Sequence, residues 1–326
     1  MARVLITGGA GYVGSHCAKA LAIAGHEGVV YDNLIRGHRQ AVRWGPLIVG
    51  DLRDAASLRK AFAERRFDAV LHFAALAYVG ESMSDPSAYY DFNVHGARCL
   101  LQAMRDADVD KIVFSSSCAV YGQPAALPIS ECAPLAPINP YGFSKLVCER
   151  MMDDFDAAYE LKSVRLRYFN AAGADPDGEI GEDHEPETHL IPLVLDAAIR
   201  ARPAIRVLGV DYPTTDGTAV RDYVHVADLA TAHVRALNHL LAGGATMAVN
   251  LGSGRGVSVR EIVAGVERIT GRAVVVEETA RRPGDPAILV ADPSEACRRL
   301  GWAPARSNLD DLLRDAWAWR RRRAPL

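Results

Sequence analysis

The stretch Arg3-Val4-Leu5-Ile6-Thr7-Gly8-Gly9-Ala10-Gly11-Tyr12-Val13-Gly14 decides the fold. Its first half is a short apolar strand. Its second half carries Gly9, Gly11 and Gly14 in the order GxGxxG and opens a helix-like stretch that runs to about Ala24. Gly8 gives a second register, with glycines at 8, 11 and 14. Glycines at such a turn let backbone N–H groups approach a pyrophosphate, and the helix that follows points its positive end at it. The motif is common by itself, but its mechanism needs a strand before it and a helix after it, and both are here. Asp32 ends the next strand, 18 residues past Gly14. A carboxylate there accepts from an adenosine ribose and repels a 2′-phosphate, so Asp32 favours NAD over NADP.

Working outward, Val29–Tyr31, Leu47–Val49, Ala69–Phe73, Ile112–Phe114 and Val164–Tyr168 read as strands. Helical patterns at about 55–65, 87–106 and 143–160 separate them. The apolar runs lack period-two alternation, which predicts an α/β fold: a Rossmann-type doubly wound parallel sheet covered on both faces. After about residue 171 comes an irregular acidic loop over 173–189, then helices near 190–201, 226–241, 258–270 and 308–323 and strands near 205–208, 248–251 and 273–277. The expected division is an NAD-binding domain over 1–170 and a mainly substrate-binding smaller α/β domain over 171–326, with later segments free to return to the first. Asp51 and Leu52, after the third strand, could flank an adenine, and Asp51 could equally cap a helix.

The chain has 326 residues, 37 basic against 40 acidic, for a net charge of −3. No global basic field exists, which argues against nucleic acid as a partner. The longest nearly uncharged stretch, 112–144, is broken by five prolines and cannot be a membrane span. The N-terminus starts a strand at once, without the pattern of a secretory signal, so a cytoplasmic location is expected. The six cysteines are irregularly spaced and read as reduced thiols.

Tyr141-Gly142-Phe143-Ser144-Lys145 places a phenol and an ammonium four residues apart, on one face of a helix that Pro140 would start. A phenol titrates near pH 10. Lowering that by about three units takes roughly 4 kcal/mol of preferential phenolate stabilisation. A neighbouring ammonium and a cationic nicotinamide can supply it. Such a pair is frequent by chance, but here it follows a dinucleotide loop and the strand-end serines Ser115-Ser116-Ser117.

From end to end the chain resembles the extended short-chain dehydrogenase/reductase family, and within it the UDP-glucose 4-epimerases. The resemblance rests on Thr7–His16, Tyr31-Asp32-Asn33-Leu34, His72–Ala75, Val79-Gly80-Glu81-Ser82, Ser115–Ser117 with Val120-Tyr121-Gly122, and Pro140–Lys145. It continues through Arg167-Tyr168-Phe169-Asn170, Gly181-Glu182-Asp183, Gly217-Thr218, Val220–Tyr223, Asn250-Leu251-Gly252 and Arg281-Arg282 with Gly284-Asp285. It implies NAD-dependent interconversion of UDP-glucose and UDP-galactose. Tyr141 would take the proton of the sugar 4-hydroxyl, Lys145 would hold the nicotinamide ribose, and Ser117 would bond the 4-oxygen. NAD would be contacted by Gly8, Gly11, Tyr12, Val13, Gly14, Asp32, Asn33, Asp51, Leu52, Phe73, Ala74, Ala75, Asn93, Ser115, Tyr141, Lys145 and Tyr168. Asn170, Arg221 and Arg282 match positions near the diphosphate, His189 and Leu190 the start of the uracil pocket, and Asp285 a ribose contact. Tyr223 is carried over as a further substrate residue, and Leu289 as the gate of the sugar pocket.

Cys118 and Ala119 stand where related 4,6-dehydratases carry an Asp-Glu acid–base pair, so dehydration lacks its catalysts. Ala77 stands where many epimerases have a lysine. Leu289 is intermediate between a small residue that admits an N-acetyl group and an aromatic that excludes it, leaving epimerisation of a UDP-N-acetylhexosamine or UDP-pentose as the alternative. A non-catalytic NAD-binding regulator on the same fold would dispense with Tyr141 or Lys145, and both are present. Glu182, Asp183, His184, Glu185, Glu187 and His189 match no familiar metal-ligand spacing and read as a solvated acidic loop, with no metal. The resemblance also implies a homodimer through the helices near 87–106 and 143–160. Arg320–Arg323 reads as a solvated helix end.

Overall fold

The computed structural model describes residues 1–281 and 285–323. In it the main sheet takes β1 (Arg3–Thr7), β2 (Glu27–Asp32), β3 (Leu47–Val49), β4 (Ala69–His72), β5 (Lys111–Ser117) and β6 (Lys162–Tyr168). Further strands are β7 (Asn170–Ala172), β8 (Ile205–Leu208), β9 (Val220–His225), β10 (Met247–Leu251), β11 (Gly256–Ser258), β12 (Val276–Thr279) and β13 (Ile288–Leu289). Seven of the described strands form one parallel sheet in the order β10-β6-β5-β4-β1-β2-β3. The chain reverses its direction of winding between β1 and β4, and ligands of such sheets bind at that switch point, outside the carboxyl ends of the strands.

The helices are α1 (Tyr12–Ile23), α2 (Ala55–Glu64), α3 (Val79–Ser84), α4 (Pro86–Tyr89), α5 (Gly96–Asp106) and α6 (Pro140–Tyr159). They continue with α7 (Leu190–Ala198), α8 (Val226–Leu241), α9 (Val259–Thr270), α10 (Ser294–Leu300) and α11 (Leu309–Arg323). Within β1, Val4 and Ile6 pack with Cys17 and Leu21 of α1 and Leu229 and Leu237 of α8, while Leu5 packs the other way with Leu58 of α2, Leu100 and Met104 of α5 and Met152 of α6. Both faces are therefore dry, which is why β1 is an unbroken apolar run. Fully burying each such side chain contributes about 1.5–3 kcal/mol.

Local signals set the helix ends. Asn139 accepts from Gly142 N at 2.8 Å ahead of Pro140, which starts α6. Ser258 and Glu261 form a reciprocal capping box on α9, which ends at Gly271 with φ of 67°.

Beyond β6 the chain builds a second sheet around β9, flanked by β11 and β13 with β7 also pairing to β9, and a parallel pair of β8 and β12. Its core gathers Ile191, Val194, Ile262, Val266, Leu312 and Leu313. β10 goes back to the first sheet, beside β6, and α8 packs on α1.

Three expectations change. The single helix of 87–106 is interrupted by a π-helical turn at Tyr90–His95, which aims Asn93 inward. The strand near 273–277 lies instead at Val276–Thr279, where β8 offers its edge. Between the expected strand near 205–208 and the expected helix near 226–241, where no strand was expected, the chain forms β9 from Val220 to His225. The charged Arg221 and Asp222 hide this strand from a hydrophobicity reading. No helix of the described residues is long and apolar enough to cross a membrane.

Candidate active site

A cavity of about 1240 Å³ opens at the switch point. A pocket for one small ligand measures about 300–1,000 Å³, so this volume suits two. One end is the glycine loop. Gly8 has φ of +73°, and a Cβ there would lie 2.4 Å from Ala74 N. A Cβ on Gly14 would lie 2.3 Å from Gly8 O. The turn therefore closes only with glycine and presents bare backbone, together with Gly11, Tyr12 and Val13, at the start of α1.

Asp32 lines the same end. Its carboxylate is buried, which raises its proton affinity, and it accepts from Ala10 N at 3.0 Å and Leu34 N at 2.8 Å. Asn33 donates to Asp51 at 3.0 Å, and Arg53 holds the Asp51 carboxyl well below its usual range. Asn33, Asp51, Leu52, Phe73, Ala74 and Ala75 all line the cavity. A dinucleotide fits these groups: bare N–H donors for its phosphates and a fixed carboxylate that accepts from its ribose.

The middle holds the three proposed catalytic residues. Ser117 ends β5 and Tyr141 begins α6, and both line the cavity. Burial pushes the Tyr141 phenol up to about 12, while Ser117 draws it back down. Lys145 does not line the cavity. It is 4% exposed, donates to the Ser115 carbonyl at 2.8 Å and lies 5.9 Å from the Tyr141 ring centre. Burial lowers its ammonium to about 8, against the pull of Cys148 and Glu149.

Asn93 and Ser115 likewise stand behind the wall. Asn93 accepts from Leu76 N at 2.8 Å and donates to Leu76 O at 3.0 Å and Ser144 Oγ at 2.9 Å, pinning the 73–77 wall to α6. Ser115 Oγ lies 2.5 Å from the hydroxyl of Tyr168, which does line the cavity.

The far end takes Asn170, His189, Leu190, Arg221, Asp285 and Leu289. Arg221 donates to Val220 O at 2.9 Å and has Asp285 at 3.9 Å. Tyr223 belongs elsewhere: although it lies two residues beyond Arg221 on β9, its ring is buried in the core cluster with Ile191 and Leu312 and does not line the cavity. Arg282 lies outside the described residues.

The 182–189 segment is not a solvated acidic loop. Glu182, His184 and Glu187 have side chains 7, 19 and 15% exposed and converge with His189. Nor is the 320–323 run free: Arg320 pairs with Asp196, and Arg323 with Asp183.

Sequence reasoning missed two groups. Arg36 lies over the Tyr78 ring at 5.1 Å, pairs with Glu81 at 2.7 Å and donates to Glu185 O at 2.8 Å, joining three loops at the cavity rim. Glu149, one turn beyond Lys145, is fully buried. It takes Arg167 through both carboxylate oxygens, at 2.9 and 2.6 Å, and Ser116 Oγ at 2.6 Å. In the sequence Glu149 stands four residues after Lys145 and reads as that residue's helical neighbour, so nothing pointed to Arg167 as its partner.

A glycine turn at the switch point of a doubly wound sheet, facing a phenol with an ammonium one turn behind it, defines a dinucleotide enzyme of the short-chain dehydrogenase/reductase class. Residues 4–252 match the NAD dependent epimerase/dehydratase family, and the chain belongs to it. The chain is 50% identical to the UDP-glucose 4-epimerase of Rhizobium leguminosarum bv. trifolii, over 97% of this chain and 96% of that one. Among solved structures it is similar to UDP-glucose 4-epimerase from Brucella ovis in complex with NAD, at 53% identity and a TM-score of 0.95, over 97% of this chain and 98% of that one. It is also similar to the UDP-Glc/GlcNAc 4-epimerase of Campylobacter jejuni, at 37% identity and a TM-score of 0.86, over 99 and 100% of the two chains.

Proposed function

We propose that this protein interconverts UDP-glucose and UDP-galactose. The observation that carries the reading is one cavity with a glycine loop at one end, Arg221 at the other and Tyr141 with Ser117 between them. Bound NAD supplies the acceptor for the C4 hydride and then gives that hydride back. Tyr141 takes the 4-hydroxyl proton as the C–H bond breaks and returns it on re-reduction, so nothing is consumed. Ser117 bonds the 4-oxygen and keeps it near the phenol.

Lys145 lies behind the tyrosine, where its charge favours the phenolate, and it would hold the nicotinamide ribose when NAD is bound. Asn170, Arg221 and Arg282 hold the diphosphate. The planar, permanently charged guanidinium suits that group. His189 and Leu190 border the base, and Asp285 borders its ribose. The hexose is held loosely enough for the 4-keto sugar to present its other face.

Leu289 lines the cavity, and its intermediate size carries the second reading, 4-epimerisation of a UDP-N-acetylhexosamine or UDP-pentose. Tyr90 and Phe143 are 41 and 47% exposed and meet edge to face at 6.3 Å on the outer face shared by the π-turn and α6. This apolar pair supports a homodimer through that surface. The protein is read as cytoplasmic.

Purified protein given UDP-galactose forms UDP-glucose at a rate well above its rate on UDP-N-acetylgalactosamine. Leu289→Ser raises the second rate relative to the first. No conversion in the presence of NAD would remove this reading.

A further inference from the structure

Residues 182–189 form no regular element and bend at Glu185 and Pro186. Asp183 and Glu185 turn outward, and Glu182 and His184 turn in. The backbone is fixed on its outer side. Trp319 Nε1 donates to Glu182 O at 2.9 Å, Arg36 to Glu185 O at 2.8 Å, and His38 Nε2 lies 2.7 Å from Asp183 O. Glu187 turns back so that its Oε1 accepts from Thr188 N and His189 N. The result is a convergence of four side chains, Glu182, His184, Glu187 and His189, whose nearest polar atoms lie within 4.8 Å of one another.

Three of these atoms, Glu182 Oε1, His184 Nδ1 and His189 Nδ1, are shielded from solvent yet make no hydrogen bond of acceptable angle. Glu182 is the deepest, with its side chain 7% exposed. The two imidazole nitrogens approach the same carboxylate oxygen, at 3.2 and 2.6 Å, from directions that suit neither as a donor. Buried polar atoms are otherwise almost always partnered. Among the described residues no lysine or arginine pairs with Glu182 or Glu187. The other acidic group on this loop differs: Asp175, Asp177 and Glu179 surround the Lys19 ammonium at 2.8, 2.7 and 2.9 Å, whereas Glu182 and Glu187 face only the two imidazoles.

We propose that Glu182, His184, Glu187 and His189 bind one divalent transition-metal ion, Zn²⁺ by donor type, in a closed structural site that fixes the 182–189 segment. Two imidazoles and two carboxylates suit zinc, whereas Ca²⁺ and Mg²⁺ take oxygen alone. Bonds of about 2.0–2.2 Å in a tetrahedron space the ligands by roughly 3.3–3.6 Å. The imidazole–carboxylate contacts of 3.2, 3.5 and 3.8 Å lie near that spacing, the 2.6 Å contact is shorter, and all four groups fall within 4.8 Å of one another.

Four protein ligands leave no open position, so the ion does no chemistry on the substrate. Its effect is positional. His189 is the residue before α7, and holding its Nδ1 sets where Leu190 enters the cavity. Tyr78 and Tyr12 meet His184 edge-on at 5.9 and 6.1 Å and complete an aromatic wall around the site.

The test is elemental analysis of tag-free, desalted holoenzyme, followed by cobalt substitution. The expected result is about one zinc per chain, and in the cobalt form a visible d–d band of tetrahedral type. Glu182→Gln and His184→Ala should each weaken metal binding by about tenfold or more. Should those variants not fold, the parent protein decides alone: a strong chelator lowers its Tm and added Zn²⁺ restores it. Protein free of metal as purified, with no cobalt band and no change of Tm on adding Zn²⁺, would overturn the proposal and leave an imidazole–carboxylate network. None of these readouts depends on epimerase activity.

Discussion

Lys145 donates through Nζ to the carbonyl oxygen of Ser115 at 2.8 Å, with the Tyr141 ring centre 5.9 Å away. The ammonium is thus anchored to the strand that ends at Ser117 and delivered beneath the phenol, so one helix and one strand set the spacing of the whole trio. In the protein alone burial dominates, raising Tyr141 to about 12. The catalytic base therefore forms only with a second positive charge beside it, which a cationic nicotinamide provides.

Tyr141→Phe keeps the ring and its edge-on packing with Tyr89 at 6.4 Å but removes the proton acceptor. Losing a positioned acid–base group costs about 10²–10⁴ in rate. Steady-state assays on UDP-galactose should show that loss in kcat, with KM changed only slightly.

Lys145→Met gives a prediction with a sign. An unfolded lysine titrates near 10.4, and burial lowers Lys145 to about 8. Below pH 8 both states carry the proton and the full cost of burying the charge is felt. Between pH 8 and about 10.4 the unfolded chain holds more protons, so this residue's contribution to stability rises with pH. At pH 7 the variant should be more stable than its cofactor-free parent, by at most about 3 kcal/mol, and the gap should close as pH approaches 10.4. Urea denaturation at both ends of that range checks it.

Glu149→Ala leaves Arg167 buried at 5% exposure with its partner gone. Breaking a buried pair on one side costs about 3–5 kcal/mol. Denaturation should show that loss, and Glu149→Gln a smaller one, because the amide still accepts from one guanidinium N–H.

Gly8→Ala tests the cofactor end. The left-handed backbone alone costs about 1–2 kcal/mol, and the new methyl would meet Ala74 N at 2.4 Å. The loop must open, so NAD affinity should fall by more than tenfold in fluorescence titration while far-UV circular dichroism stays close to the parent's.

The glycine turn, Asp32, Tyr141 and Lys145 were legible in the sequence because their geometry is local: a turn, a strand end, one helical turn. The residues held at a distance were not. Arg36 meets Glu185 only because the 182–189 segment crosses the loop after β2. The convergence of Glu182 with His189 depends on the bend at Glu185 and Pro186, in a segment that has no apolar pattern to announce it. Tyr223 was assigned to the substrate by its place in a motif, whereas its ring packs into the core with Ile191 and Leu312. The π-turn at Tyr90–His95 was invisible because its sequence is compatible with an ordinary helix, while in the fold its Asn93 bonds Leu76.

The most direct test of the central claim is conversion of UDP-galactose carrying deuterium at C4, run in ordinary water. Transfer to NAD and back predicts UDP-glucose that keeps its deuterium at C4, with only hydroxyl protons exchanged. Product that has lost the label to solvent would contradict the account, as would no product at all from NAD-loaded enzyme.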